Sequence, residues 1–355
     1  MSGRRALGAL ALLLLAWAGF GLWIRSRRAP ELPRPAGEVR GAYHVHTRKS
    51  DGRGTLDEVV AAARQAGLQF VVISDHNVLA PEDAGWRGGV LVIEASEVSS
   101  PYGHIVGLGL PRALTKEERL RDTLGSISAL GGAAALAHPL HPKRPFARWS
   151  RHDWVGFEVI SNDSFWGNTL HGRHLLRALA AVLAFPWDDA QSPLALYRRP
   201  DAELARYDAL DPAERHPLLC SADAHGWPSY RAAFRAFSMH VPVRLTGDAP
   251  EDSARVISAL LEGNAACVFD GVAPAWGADL RLDPARDAFT FTAEQAAPSR
   301  ASYVLLRDGQ PFGAARPVPG GARFECGGPC PRGAYRVEAR WGGRPWIFTN
   351  PAYIE

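Results

Sequence analysis

The chain has little of several features that would place it in a familiar functional class. Only 3 of its 355 residues are lysine, and beyond the N-terminus there is no long basic run. The net charge is only +3, whereas nucleic-acid-binding proteins concentrate positive charge on one face. Nucleic acid is therefore not expected as a partner. With 46% hydrophobic and 22% charged residues the chain is globular, and the scarcity of lysine and methionine is typical of a GC-rich bacterial genome.

Charged residues are absent between positions 6 and 24, and this absence predicts a membrane helix. A helix of that length rises about 30 Å, enough to cross a hydrocarbon core. Trp23, beside the arginines that follow, fits an interfacial anchor. We predict a membrane anchor or signal sequence over 1–28 and a proline-rich linker over 29–40. A cleaved signal peptide is the alternative, since Ala16-Trp17-Ala18 resembles a cleavage site. The remainder is then expected in the periplasm or outside the cell, either anchored or secreted.

Cysteine is also scarce, with four residues in the chain. Cys326 and Cys330 flank a turn between two predicted strands, where a disulfide or two free thiols would both fit. A disulfide there would need an oxidising compartment. Cys220 and Cys267 lie in apolar, strand-like segments and are predicted to be buried core residues.

Strands and helices alternate from residue 41 to about 275, which predicts a parallel barrel or doubly wound sheet. Capping boxes at Thr55 and Thr115 open two of the helices. The predicted strands are 41–46, 69–73, 90–98, 104–110, 133–137, 155–160 and 218–222. Further helices are predicted at 169–184, 192–208 and 251–262. Over 276–355 short strands separated by glycine- and proline-rich turns predict a small antiparallel β-sandwich, which contains no histidine.

Residues with metal-binding side chains collect at the ends of these strands. They are His44, His46, Asp51, His76, Glu97, His104, His138, Asp223 and His225. Because the carboxyl ends of such strands meet at one face of the fold, we expect these side chains to lie together. Imidazole with carboxylate suits Zn, Mn or Fe. Nine ligands are too many for one tetrahedral ion, so two or three divalent metal ions are expected, with Glu97 as the bridging carboxylate.

The series HVH, SDG, SDH, SE, GH, AHP and SADAH resembles, in kind and order, the motifs of the PHP superfamily, named for polymerase and histidinol phosphatase. The resemblance covers 41–275 and implies a distorted (β/α)7 barrel with two or three metals. It places the family's metal ligands on the nine residues named above, with none missing, which argues against a degenerate copy. The C-terminal sandwich, ending RPWIFTNPAYI, is similar to the tail of the branch that includes carbaryl hydrolase-like metallohydrolases.

Metal ions at such a site activate water as the nucleophile, and the sequence contains no serine or cysteine nucleophile motif. We therefore predict a phosphoesterase acting on a small-molecule ester. One alternative is a carboxylester, amide or carbamate hydrolase on the same metals, and another is a non-catalytic metal-binding sensory or interaction module. A binuclear amidohydrolase is disfavoured because it usually needs a lysine at a strand end, and Lys49, Lys116 and Lys143 lie in loops or helices.

Basic residues near the motifs are candidates for substrate binding, since phosphate recognition favours arginine and lysine at such loops. They are Arg48, Lys49, Arg53, His141, Lys143 and Arg144. A solvated loop in an arginine-rich protein is the alternative interpretation. The oligomeric state is not determined by the sequence.

Overall fold

The computed structural model describes residues 3–26, 29–165, 174–227, 229–295 and 298–355. Within these residues the protein is a mixed α/β fold with one large sheet, parallel at its centre, and a second, small antiparallel sheet. The beginning of the helix predicted at 169–184 lies outside the described residues.

The strands of the first part of the chain follow the predicted pattern closely. They are β1 (Val39–Val45), β2 (Phe70–Ile73), β3 (Gly85–Arg87), β4 (Val90–Glu94), β5 (Ser96–Ser100), β6 (Gly103–Leu108), β7 (Ala133–Ala137), β8 (Gly156–Ser161), β9 (Leu218–Ala224), β10 (Ser238–Val241) and β11 (Ala266–Val268). The predicted strand at 90–98 is divided at Ala95, which lets β4 and β5 join different neighbours.

The helices begin where local capping favours them. They are α1 (Gly3–Ser26), α2 (Leu56–Gln65), α3 (Lys116–Ala129), α4 (Leu175–Ala184), α5 (Gln191–Leu196), α6 (Asp201–Asp208), α7 (Tyr230–Ala236) and α8 (Ala249–Leu261). Both predicted capping boxes are present, at Thr55 and at Thr115. The single helix predicted at 192–208 is wrong. Two helices form instead. The backbone becomes extended at Tyr197, and Pro200, which follows, cannot donate a helical hydrogen bond.

The strands that carry the predicted ligands form a closed path of pairings. β1 pairs in parallel with β2 on one side and β9 on the other, and β9, β8 and β7 continue in parallel. β7, β6 and β5 then pair antiparallel, and a bridge between His76 and Glu97 joins β5 to the end of β2. Strict strand–helix alternation is interrupted between α2 and α3, where the five strands β2 to β6 follow one another without an α-helix between them.

The rest of the chain adds to the large sheet and builds the small one. The strands of this region are β12 (Ala275–Leu282), β13 (Ala288–Gln295), β14 (Ala301–Arg307), β15 (Gln310–Pro311), β16 (Ala315–Val318), β17 (Gly321–Glu325), β18 (Gly333–Trp341), β19 (Arg344–Thr349) and β20 (Ala352–Ile354). β12, β13, β17 and β16 form the small sheet. The others join the large sheet, because β19 pairs with β11. The boundary near residue 275 stays a prediction.

Buried charged groups tie the two regions together. Arg336, only 2% exposed, donates to both carboxylate oxygens of Asp208 on α6, at 3.0 and 2.7 Å. Glu338 accepts two hydrogen bonds from Arg199 at 2.6 and 2.8 Å. Paired charges of this kind are costly to separate once they are buried. The contact therefore fixes β18 against the helices that precede β9.

Both pairs of cysteines are disulfide-bonded. Cys326 pairs with Cys330 across the predicted turn, which confirms the disulfide rather than two free thiols. Cys220 and Cys267 are buried, as predicted, but they also pair with each other across a separation of 47 residues. The sequence analysis missed this pairing because neither residue has a partner near it in the chain.

Among the described residues, one helix is long and apolar enough to cross a membrane, over Arg5–Ser26. Most of its leucines are exposed, with only 11% of the apolar window buried against the protein. An anchor and a signal sequence share these properties, so the choice between them stays a prediction.

Candidate metal centre

The backbone is left-handed at three predicted ligands, each of which lies at the end of a strand. The φ angles are 66° at His44, 29° at His138 and 38° at Asp223. A residue other than glycine in this region costs about 1–2 kcal/mol. At His44 the register of β1 is also irregular. The HVH motif therefore does not present two imidazoles from a regular strand. A local distortion brings both rings into the centre.

Five imidazoles converge on the carboxylate of Glu97, which is 1% exposed. His104 Nδ1 and His138 Nε2 lie 2.8 and 2.9 Å from Oε1. The nitrogens His44 Nε2, His46 Nε2 and His76 Nδ1 lie 3.2, 3.2 and 3.1 Å from Oε2. Glu97 thus occupies the middle of the cluster, with its two oxygens facing different sets of histidines.

Two further carboxylates complete the cluster on either side. Asp51 Oδ1 lies 3.5 Å from His46 Nδ1 and 3.3 Å from His225 Nε2, and its Oδ2 lies 3.4 Å from His76 Nε2. Asp223 Oδ1 lies 3.8 and 3.5 Å from the Nε2 atoms of His44 and His46. All nine predicted ligands are therefore brought together at one end of the strands.

The donor set fits metal ions better than hydrogen bonds alone. His44 Nε2 and His46 Nε2 face each other at 3.0 Å. Among the residues that the structure describes, His76 Nδ1 has no hydrogen-bond partner, although Glu97 Oε2 is 3.1 Å away. Ligand atoms that share an ion at about 2.1 Å lie roughly 3.0–3.5 Å apart.

Three groups of side chains have ligand atoms within 4.8 Å of one another. They are His46, Asp51, His76 and His225; then His44, His46 and Asp223; and then His76, Glu97 and His104. His46 and His76 each belong to two of these groups, as expected if the groups hold neighbouring ions. His138 belongs to none of the three groups and reaches the cluster through Glu97. Its Nδ1 is buried and has no hydrogen-bond partner among the described residues.

The protonation equilibria show that the carboxylates and imidazoles of the cluster stabilise each other's charged forms. Burial opposes the charge of Glu97, yet His44 and the hydrogen bonds from His104 and His138 hold its pKa well below the ordinary range. Burial likewise opposes the charge of His138 and His225, but the neighbouring carboxylates raise the pKa of each to about 9. Positive charge is therefore stabilised at these nitrogens, and metal ions would replace the protons.

Glu158 on β8 is a site residue that the sequence analysis missed. Its Oε1 lies 2.8 Å from His44 Nδ1, and its Oε2 accepts from the backbone N–H of His138 at 2.8 Å. Both side chains of the Glu158–His44 pair are fully buried. A carboxylate on the far nitrogen fixes the tautomer and orientation of a ligating imidazole. It lies inside the apolar strand β8, between Phe157 and Val159, and so gave no local signal.

The predicted substrate-binding residues lie around the cluster with different partners. Lys49 Nζ contacts Asp83 at 2.6 Å, and Arg48 Nε donates to the Arg53 carbonyl oxygen at 2.6 Å. The guanidinium of Arg53 lies over the ring of Trp227. On the other side of the centre, the rings of His141 and His138 are 5.2 Å apart, and Lys143 and Arg144 are exposed.

A cavity of about 290 Å³ adjoins the cluster. His138, His141 and Ser161 form its wall beside the predicted ligands, and Ser161 donates to Asp223 Oδ2 at 2.8 Å. Arg198 also lines the cavity and is exposed, and within the described part of the chain its guanidinium has no partner. Glu203 also lines the cavity, and burial raises its pKa. The cavity is therefore polar and large enough for a small molecule.

No protein-family model matches the chain. An uncharacterized protein of Methanocaldococcus jannaschii is 27% identical over 119 residues, which cover 29% of this chain and 70% of that protein.

Two solved structures show similarity at lower identity. One is a two-domain protein from Bacteroides vulgatus that contains a predicted PHP-like metal-dependent phosphoesterase. It is 12% identical to this chain, the match covers 92% of this chain and 99% of that chain, and the TM-score is 0.43. The other is an amidohydrolase from Chromobacterium violaceum, 15% identical, with 52% and 87% covered at a TM-score of 0.30. The structural neighbours are thus PHP-like metal-dependent phosphoesterases and amidohydrolases. Each of these TM-scores lies below 0.5.

Proposed function

We propose that this protein is a metal-dependent hydrolase of the PHP type, most simply a phosphoesterase, with two or three divalent ions held by the nine clustered side chains. The observation that carries the proposal is the convergence of five imidazoles on the two oxygens of Glu97. A structural ion pair needs one cationic partner, whereas this arrangement offers ligands on both sides of one carboxylate. The closed path of strands is, on this proposal, a distorted (β/α)7 barrel.

The residues of the chain have separable roles in this proposal. Glu97 holds two groups of imidazoles together, while Asp51 and Asp223 supply negative charge on either side of them. Glu158 orients the His44 ring. Divalent ions, when bound here, supply Lewis acidity that polarises the scissile group and acidifies water. No serine or cysteine nucleophile is then needed.

The cavity favours a phosphorylated substrate over a neutral ester. Arg198 has no carboxylate partner in the described residues, whereas its neighbour Arg199 is paired with Glu338. A guanidinium of this kind recognises phosphate oxygens through paired donors. We propose that Arg198 contacts the anionic part of the substrate. A carboxylester, amide or carbamate without charge would gain nothing from it.

The test compares the full-length protein with Glu97→Gln and with the control Glu82→Gln, whose side chain is 75% exposed. The number of metal ions per chain is measured by mass spectrometry. Turnover is measured with nitrophenyl phosphate, bis-nitrophenyl phosphate and nitrophenyl acetate. We expect phosphoester turnover in the parent and the control. In Glu97→Gln we expect a loss of at least about 100-fold together with lost metal, since even residues that only orient ligands cost 10–100-fold.

Other results would select the alternatives. Turnover of the acetate with neither phosphate ester would replace the phosphoesterase by an ester or amide hydrolase. Metal binding without turnover of any substrate would favour the non-catalytic module. Arg198→Gln separates the substrate classes further, since it should raise KM for the phosphate esters and leave KM for the acetate unchanged.

A further inference from the structure

The helix α4 presents an apolar face to the outside of the protein. Leu175 and Leu176 are 80% and 83% exposed, and Leu179 and Val182 are 54% and 65% exposed. These positions follow the periodicity of a helix, so the side chains share one face. On the opposite side of the helix Ala181 and Ala184 are buried.

Such a surface is unusual in a protein surrounded by water. Contiguous exposed apolar patches mark contacts with proteins or membranes. The helix has a single charged residue, Arg177, and no acidic residue. Its ten residues rise about 15 Å, half of what a membrane span requires. The helix is therefore too short to cross the bilayer, and its exposed apolar face fits a helix that lies in a membrane surface.

The face is continuous with the apolar N-terminal helix. Trp17 Nε1 donates to the Leu183 carbonyl oxygen at 3.0 Å, and the rings of Trp17 and Trp187 are 5.2 Å apart. Gly21 lies against the ring of Trp187, where a β-carbon would overlap it. The two helices therefore meet through specific contacts, and both expose leucine side chains.

We propose that Leu175–Ala184 is a second membrane contact, lying in the surface of the bilayer that α1 enters. The occupant of its apolar face is lipid acyl chain. The proposal depends on the membrane placement of α1 and is independent of the proposed hydrolase function. Two contacts, unlike one, restrict how the body of the protein is oriented on the membrane.

The test uses the full chain in phosphatidylcholine vesicles with or without doxyl-labelled lipid. Leu176→Cys and Leu179→Cys carry a bimane label, and Leu120→Cys on α3 is the matched control, since Leu120 is 57% exposed. The four native cysteines are paired in disulfides, so the new thiol is the reactive one. We expect doxyl lipid to quench the label at 176 and 179 several-fold more than at 120.

Equal quenching at all three positions would overturn the proposal. A second result would also overturn it: the labels at 176 and 179 are shielded from water, doxyl lipid does not quench them, and the shielding increases with protein concentration. A second copy of the chain would then cover the face. Each cysteine replaces an exposed side chain, and a circular dichroism spectrum matching the parent confirms that the variants fold.

Discussion

At the scale of single residues, the centre depends on contacts between side chains that are far apart in the chain. Glu97 and His138 are 41 residues apart, and His44 and Glu158 are 114 apart. Three of the predicted ligands adopt left-handed backbone conformations. Strain of this kind persists only where the surrounding packing enforces it, and it is common at functional sites.

Removing Glu158 should weaken metal binding without removing a ligand. Glu158→Ala leaves His44 Nδ1 and the His138 N–H without their acceptor, whereas Glu158→Gln keeps an acceptor oxygen. We expect metal affinity to fall about 10–100-fold in the alanine variant and by less in the glutamine variant, whose single amide oxygen can accept from only one of the two donors. Isothermal titration of the metal-depleted protein measures this. Equal affinities for the parent and the alanine variant would remove Glu158 from its orienting role.

At the scale of elements, a helix outside the strands holds the loop that carries Asp51. The Tyr230 hydroxyl, at the start of α7, donates to the His46 carbonyl oxygen at 2.9 Å and accepts from Gly54 N–H at 3.0 Å. The two ends of the 47–53 loop are thereby fixed. Asp51 itself is half-exposed, so its position depends on the loop.

Tyr230→Phe should therefore lower both stability and metal affinity. Losing the hydroxyl leaves two buried backbone groups without a partner, at about 1–3 kcal/mol each. The matched control is Tyr335→Phe, because the Tyr335 hydroxyl donates to a backbone carbonyl far from the centre. Urea denaturation and metal titration of both variants are the measurements. If both variants bind metal with the same affinity, the loop does not depend on α7.

The secondary structure was largely predictable because its signals are local. Short runs of strand-forming residues placed β1, β2 and β7 within two residues, and the capping boxes located α2 and α3. The helix predicted at 192–208 failed because its periodicity continues through a segment that Pro200 interrupts. The division of the strand at Ala95 was also missed, since it depends on which strands lie alongside.

At the scale of the whole molecule, a second buried charge network lies beside β1, away from the metal ligands. Asp270 accepts from Arg40 Nη1 at 2.8 Å and from Ser238 Oγ at 2.6 Å, and its Oδ1 is 3.1 Å from His240 Nε2. Burial opposes the charge of Asp270, but Arg40 and His240 lower its pKa to about 2. These interactions join strands that are far apart in the chain.

This network predicts how stability depends on pH. The folded pKa of Asp270 is about 2, below its ordinary value of 3.8. Its contribution, about 2 kcal/mol, is therefore present above pH 4 and lost as the pH falls from 4 towards 2. We expect Asp270→Asn to flatten this loss relative to the parent, measured by urea denaturation of chelator-treated protein at pH 5 and pH 3. The exposed control Asp57→Asn should keep the parental pH dependence, and an identical slope in all three proteins would contradict the prediction.

The sequence by itself determined which residues carry the chemistry. The nine predicted ligands are set by motifs and strand ends only a few residues long, and such signals act between chain neighbours. The tertiary structure alone decided the rest: Glu158 behind His44, Arg198 lining the cavity, the Cys220–Cys267 disulfide and the contact of α1 with α4. These depend on strand register and packing between segments 47 to 166 residues apart. Local propensity does not encode such contacts, because their energy arises only when distant surfaces are buried together.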